Sequence, residues 1–163
     1  MTKINIAKTE SDFKTIAELS DIIWKEYYTD IIGYRQVDYM LKKYQSVEAI
    51  KDQIEEGALY YLITHQGSTV GYLSYYKRTD CLFLNKIYIL KESRGKGIGK
   101  KAMHFLETTA EHIGYKTISL TVNKNNKETI KAYEKMGFKQ VRDIVIDIGN
   151  NFVMDDYIME KEF

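Results

Sequence analysis

Hydrophobic positions along this chain change period from about 3.6 to 2 and back, so its elements can be read in order. Phe13, Ile16, Ser20, Ile23 and Tyr27, with Trp24 beside them, recur at helical spacing behind Thr9-Glu10-Ser11-Asp12, which resembles a variant capping box. A short strand over Ile4 to Ala7 precedes that helix. Val37, Met40, Leu41 and Tyr44 give a second helix after a turn at Gly33, and Val47, Ile50 and Ile54 a third between Ser46 as N-cap and Gly57.

The middle of the chain alternates instead. Leu59 to Ile63, Val70 to Tyr76 and Cys81 to Leu90 are aromatic and branched runs separated by Gln66-Gly67 and Thr79-Asp80, which predicts antiparallel strands. Helical spacing returns in Ile98, Ala102, Phe105, Leu106, Thr109 and Ile113, ending at Gly114. The strand Thr117 to Val122 follows, parallel to its predecessor because a helix connects them. A helix through Ile130, Tyr133 and Met136 stops at Gly137, and Phe138 to Ile148, Gly149-Asn150-Asn151 and Phe152 to Glu162 form a hairpin. The pattern predicts one domain over residues 1–163, of mixed α/β (α+β) class.

Composition narrows the function by exclusion. With 24 basic and 23 acidic residues the net charge is +1, too balanced for a general binder of nucleic acid or anionic membranes. A lone cysteine, Cys81, forms no disulfide within the chain, and no signal-like or membrane-spanning apolar run stands out, so the expected compartment is the cytoplasm. His65, His104 and His112 lack metal-ligand spacing, and no metal is expected.

One local feature departs from this balance. Between Ile87 and Lys101 a strand runs into Arg94-Gly95-Lys96-Gly97-Ile98-Gly99-Lys100 and then a helix. Alternate glycines allow close backbone approach, the helix start presents free amides, and Lys91, Arg94, Lys96, Lys100 and Lys101 outnumber Glu92. That is an anion site suited to pyrophosphate. No Ser or Thr follows Lys100 as a magnesium ligand, which argues against a P-loop, and the glycine spacing does not fit a dinucleotide fingerprint.

Arg94, Gly97 and Gly99 instead match Arg/Gln-x-x-Gly-x-Gly/Ala at a strand end, and Asn126, Ile130, Tyr133, Gly137 and Phe138 match a second motif, Asn-x-x-x-Ile-x-x-Tyr-x-x-x-Gly-Phe. With these motifs in order over essentially its whole length, the chain resembles the GNAT-superfamily N-acetyltransferases. The resemblance implies a mixed, mostly antiparallel sheet of about seven strands with helices on both faces and a central parallel pair splayed around acetyl-CoA. It implies that backbone groups of Ile87 and Ile89 pair with the pantetheine of coenzyme A. Loop groups at Arg94, Gly95, Lys96, Gly97, Ile98, Gly99 and Lys100 would hold its pyrophosphate. Asn126 would contact the coenzyme, and Tyr133 would contact the thioester sulfur and protonate the leaving thiolate. Read alone, Tyr133 is a core aromatic and Asn126 a helix N-cap; the motif gives them the sharper roles.

The acceptor is less legible. Where one branch of the family has a glutamate base, four residues before Ile87, this chain has Phe83. Asp155, Asp156 or a tyrosine-held water are unranked alternatives for the base. The segment from Trp24 to Leu41 resembles the bacterial polyamine N-acetyltransferases, so Trp24, Tyr28, Asp155 and Asp156, with Asp38, are expected to line an acceptor pocket for a small-molecule amine. A protein or peptide amine, or a non-catalytic acetyl-CoA sensor, is the alternative, and the resemblance allows a homodimer.

Overall fold

The computed structural model describes Met1–Phe163. In chain order the elements are β1 (Thr2–Ile6), α1 (Glu10–Ile32), α2 (Tyr34–Tyr44), α3 (Val47–Glu55), β2 (Leu59–His65), β3 (Ser68–Lys77) and β4 (Leu82–Ile89). A 3-10 turn at Lys91–Ser93 leads to α4 (Ile98–Ile113), β5 (Thr117–Asn123), α5 (Lys127–Lys135), β6 (Lys139–Gly149) and β7 (Phe152–Glu162).

The local chemistry explains the boundaries. Thr9 Oγ1 accepts from the Asp12 amide at 3.1 Å while Asp12 Oδ2 accepts from the Thr9 amide at 3.1 Å, so both halves of the capping box form. The Lys8 amide, which donates to Asp12 Oδ2 at 2.9 Å, and the Thr9 amide hold the Asp12 carboxyl below its usual range. Ser46 caps α3 through the Ala49 amide, and Gly114 ends α4 in the left-handed region at φ 102°.

All seven strands join one sheet in the order β1-β2-β3-β4-β5-β7-β6. Every neighbouring pair is antiparallel except β4 and β5. The α4 stripe Ile98, Ala102, Met103, Leu106 and Ala110 packs with Leu73, Leu84, Ile118 and Leu120 in the largest core. A second core joins Ile16 and Ile23 of α1 and Ile50 of α3 to Tyr60 and Tyr72. The predicted fold class, with its single parallel pair, is therefore the observed one.

Candidate functional site: a cleft where two parallel strands separate

The parallel pair is joined only through Leu82/Ile118, Phe83/Ser119 and Leu84/Leu120. Beyond it, β4 runs on to Ile89 and β5 to Asn123 without a partner for each other. The divergence begins beside a bulge: Lys86 faces Ser74 and Leu84 faces Tyr75, leaving Asn85 as an extra residue in β4.

Backbone direction in the opened stretch follows from the ladder. The Leu90 amide donates to the Val70 carbonyl at 2.8 Å, toward β3. Because successive residues alternate, the amides and carbonyls of Ile89 and Ile87 face the gap. Arg94 Nε donates to the Ile89 carbonyl at 3.0 Å from that side, which agrees.

At the head of the gap lies the glycine loop. Gly95 and Gly97 have φ 75° and 78°, and a Cβ at either would meet nothing within 4 Å, so the space in front of them is open. The amides of Gly95, Lys96 and Gly97 have no backbone acceptor, and those of Ile98, Gly99 and Lys100 belong to the first turn of α4. None of the chain's ion pairs uses Lys91, Arg94, Lys96, Lys100 or Lys101. Free donors, a helix N-terminus and unpaired cations thus converge where a pyrophosphate would fit. Ile98 differs from its loop neighbours, since its side chain is buried in the core and only its amide is available.

The gap widens into a cleft of about 400 Å³ that gathers most of the expected residues. Ile87, Ile89, Arg94, Gly99, Asn126 and Tyr133 line it, as do Trp24, Tyr28 and Asp156. Tyr27 Oη donates to Asn126 Oδ1 at 2.6 Å and lies 3.1 Å from Thr129 Oγ1, while Asn126 Nδ2 lies 3.4 Å from Tyr28 Oη. Asn126 occupies the N-cap position of α5, but its side chain caps nothing; these bonds tie α1 to α5 across the cleft instead. The Arg94 guanidinium sits 5.2 Å from the Tyr27 ring centre.

Tyr133 packs on Phe138, with ring centres 5.5 Å apart. Burial raises its pKa above the ordinary phenol value, with Tyr28 and Tyr27 adding to the effect, so the hydroxyl keeps its proton at neutral pH. Burial likewise pushes Tyr28 up to about 12.

The two expected acids on β7 separate, because neighbouring strand residues point to opposite faces. Asp156 is 3% exposed and lines the cleft opposite Asn123 of β5. Asp155 points away and pairs with Lys124 at 2.9 Å, so its expected place in the pocket is corrected. Asp38 is exposed on α2 and is also outside the cleft. Burial pushes the Asp156 carboxyl up to about 6; neighbouring Asp155 adds to this, and the Thr121 hydroxyl and Lys124 oppose it. Phe83 lies under the Arg78 guanidinium, 3.8 Å from the ring centre, and takes no part in the cleft.

Sequence reasoning missed Lys86. It is 6% exposed, donates to the Tyr44 carbonyl at 2.7 Å and Gln53 Oε1 at 3.0 Å, and contacts Tyr60 Oη, with no carboxylate partner. Burial lowers it to about 7. A single lysine in an apolar strand was the only available signal.

With that geometry in view, comparison with known proteins identifies the architecture. The profile of the Acetyltransferase (GNAT) family matches residues 16–138. The chain belongs to the acetyltransferase (GNAT) family. This GNAT enzyme is 29% identical over 138 residues to the N-acetyltransferase YjgM of Escherichia coli, covering 82% of this chain and 80% of that one. It is also 29% identical over 119 residues to the peptidyl-lysine N-acetyltransferase YjaB of Salmonella typhimurium, covering 71% and 75%. Among solved structures, the PaiA N-acetyltransferase of Thermoplasma acidophilum in complex with coenzyme A superposes with a TM-score of 0.78 at 22% identity, over 99% of both chains. The expected family and fold are both borne out. No helix of this GNAT chain is long and apolar enough to cross a membrane.

Proposed function

We propose that this GNAT enzyme transfers an acetyl group from acetyl-CoA to a primary amine of a small molecule, by direct attack with both substrates bound. The observation that carries the reading is the gap between β4 and β5 with an unpartnered glycine loop at its head.

The residues present fit coenzyme A. The amides from Gly95 to Lys100, aided by the exposed Arg94, Lys96 and Lys100 side chains, hold the pyrophosphate at the α4 N-terminus, the Arg94 amide being taken by the Lys91 carbonyl. Ile87 and Ile89 offer their gap-facing amides and carbonyls to the pantetheine as an added strand would use them. Arg94 leaves the Ile89 carbonyl to do so. Asn126, fixed by Tyr27, forms the opposite wall. When bound, acetyl-CoA supplies a thioester carbonyl open to an amine and a sulfur that departs as a thiol.

Protein groups then manage charge and protons. The Ile89 amide offers a donor to negative charge developing on the carbonyl oxygen. Tyr133 Oη, which burial keeps protonated, gives its proton to the departing sulfur, whose thiol resembles cysteine with a pKa of about 8.5. An alkyl amine of pKa about 10.4 must first lose a proton, at a cost of about 4.6 kcal/mol at pH 7.

For a polyamine, the cleft supplies only Asp156 of the three expected acids; the exposed Glu128 of α5 is the other carboxylate lining it, so one buried acid is present, which favours an amine with one buried positive charge. A peptidyl lysine is the second reading, supported by the name of the Salmonella relative. Acetyl-CoA should raise the melting temperature, and an amine panel scored by thiol release should find an acceptor. Absence of both a thermal shift and calorimetric heat at saturating acetyl-CoA refutes the proposal; binding without turnover on any amine leaves a coenzyme-binding sensor. A reducing cytoplasm, where a lone thiol such as the buried Cys81 stays unoxidised, is its proposed compartment.

A further inference from the structure

Asp156 is unusual among the carboxylates of this chain. It is 3% exposed and has no ion pair, and its polar neighbour is the Thr121 hydroxyl, so no cation of the chain compensates it. Asp156 lines the cleft, and neither of its oxygens is among the sealed, unpartnered polar atoms, which are Trp24 Nε1 and Ser74 Oγ. An unpaired carboxylate so placed needs a cation from outside.

Its surroundings define that cation. Trp24, Tyr28, Met40, Tyr88 and Met154 share the cleft with it, and the Trp24 and Tyr88 rings lie 4.5 and 6.3 Å from the Tyr28 ring. These walls suit an ammonium carried on an apolar or aromatic stem. The cation nearest to it in sequence and register, Lys124, is already paired with Asp155 and with Asp143 at 3.1 Å; Lys86 is buried on the Tyr44 carbonyl and Gln53, and Arg94, on the Ile89 carbonyl and over the Tyr27 ring, is the loop cation assigned to the coenzyme. An acceptor with a carboxylate beside its amine would bury that charge unpaired.

Building on the acetyltransferase reading above, we propose that Asp156 receives the acceptor's ammonium and removes its proton, and that it selects a single amine on an uncharged apolar stem. The ammonium gives one proton to the Asp156 carboxylate, leaving a neutral amine whose nitrogen lone pair forms the new C–N bond to the thioester carbonyl carbon as its C–S bond breaks; a second proton leaves the nitrogen and replaces the one Tyr133 gave to the departing sulfur. Asp156, now a carboxylic acid, returns the proton to water in the cleft. Apolar walls bring the two groups closer in basicity, lowering the amine and raising the acid. The groups facing Asp156 are Thr121 and Asn123 of β5, Lys124 beyond it, Tyr28 of α1, Ile144 of β6 and its neighbour Asp155.

The experiment compares wild type with Asp156→Asn, using 2-phenylethylamine, Nα-acetyl-lysine methylamide, spermidine and L-phenylalanine as probes. Calorimetry on the ligand-free protein should show 2-phenylethylamine or the lysine derivative binding to wild type, and at least about 30-fold more weakly to Asp156→Asn. Turnover of the variant should fall about 10²–10⁴-fold, while its affinity for acetyl-CoA stays unchanged. L-Phenylalanine should bind far more weakly than 2-phenylethylamine, and spermidine should gain nothing from its extra charges. Whichever of the first two probes has the higher kcat/KM distinguishes a free amine from a peptidyl lysine as the source. The carboxyl carbon of Asp156, followed by NMR, should titrate near pH 6 and shift to lower pH with amine bound. Because the variant removes an unpaired buried charge, its melting temperature at pH 8 should not fall. Wild-type amine binding and turnover in Asp156→Asn, equal binding of L-phenylalanine, or no binding of any probe would overturn the proposal. Loss of acetyl-CoA binding by wild type itself would instead refute the acetyltransferase reading.

Discussion

Gly71→Ala offers a direct test of how β3 sets the position of the coenzyme track. Gly71 lies opposite Ile89, and a Cβ there would stand 2.3 Å from the Tyr88 carbonyl oxygen and 3.2 Å from Ile89 Cα. The clash involves backbone, so no side-chain rotation relieves it. Restoring the oxygen contact to 3.4 Å moves Tyr88 and Ile89 about 1.1 Å away from β3, into the gap. Overpacking of this kind costs about 2 kcal/mol, which for a chain of this size lowers the melting temperature by about 6 °C. The same shift misaligns Ile87 and Ile89, and losing one well-aligned hydrogen bond weakens acetyl-CoA binding about tenfold. Thermal unfolding and calorimetric titration measure the two effects separately. The opposite sign is available as a refutation, because Gly71 does not have a positive φ. Without a clash, alanine would restrict the unfolded chain and stabilise the protein by about 0.4–1 kcal/mol. A melting temperature equal to or above wild type, with unchanged coenzyme affinity, would show that β4 is not fixed against Gly71.

Other substitutions separate binding from chemistry. Tyr133→Phe should lower turnover about 10²-fold and leave acetyl-CoA affinity intact; an unchanged rate removes Tyr133 as the acid. Gly97→Ala places a side chain at φ 78° and should cost about 1–2 kcal/mol of stability while weakening coenzyme binding, both read by thermal shift with and without acetyl-CoA. Lys86 supplies a pH test. Its folded pKa of about 7 lies below the usual 10.5, so between these values the unfolded chain holds a proton that the folded protein has released. Stability should therefore rise with pH by as much as about 4 kcal/mol from pH 7 to 10, and be lost again as pH falls. Buried Tyr60 and Tyr72, whose pKa values are raised, work the other way only above that window. Urea unfolding at pH 7 and 9 should show this slope in wild type and not in Lys86→Met.

Much of this architecture was legible because local signals agreed with one another. Thr9 and Asp12 announced α1, Gly114 ended α4, and period-two runs marked the strands near their observed limits. The glycine loop and the motif around Tyr133 located the cleft. Features that depend on register were less accessible. Asn85 looks like any strand residue, yet it is the bulge beside which β4 leaves β5. Asp155 and Asp156 are chemically identical, and only their alternation on β7 decides which enters the cleft. Asn126 has the composition of a cap but bonds to Tyr27, about a hundred residues earlier in sequence, a contact that no local pattern carries. Lys86 reads as a polar interruption of β4 until α2 and α3 pack over it.

The short parallel junction has a mechanical consequence. Because Leu82/Ile118, Phe83/Ser119 and Leu84/Leu120 are the only backbone pairs between β1–β4 and β5–β7, the two halves of the sheet share a ladder at one corner and are otherwise joined through side chains of the core and by Tyr27 on Asn126. The amides of Ile87 and Ile89 should therefore exchange hydrogen with water faster than those of Leu82 and Leu84 on the same strand. A ligand lying between β4 and β5 would supply the missing backbone partners there and slow that exchange.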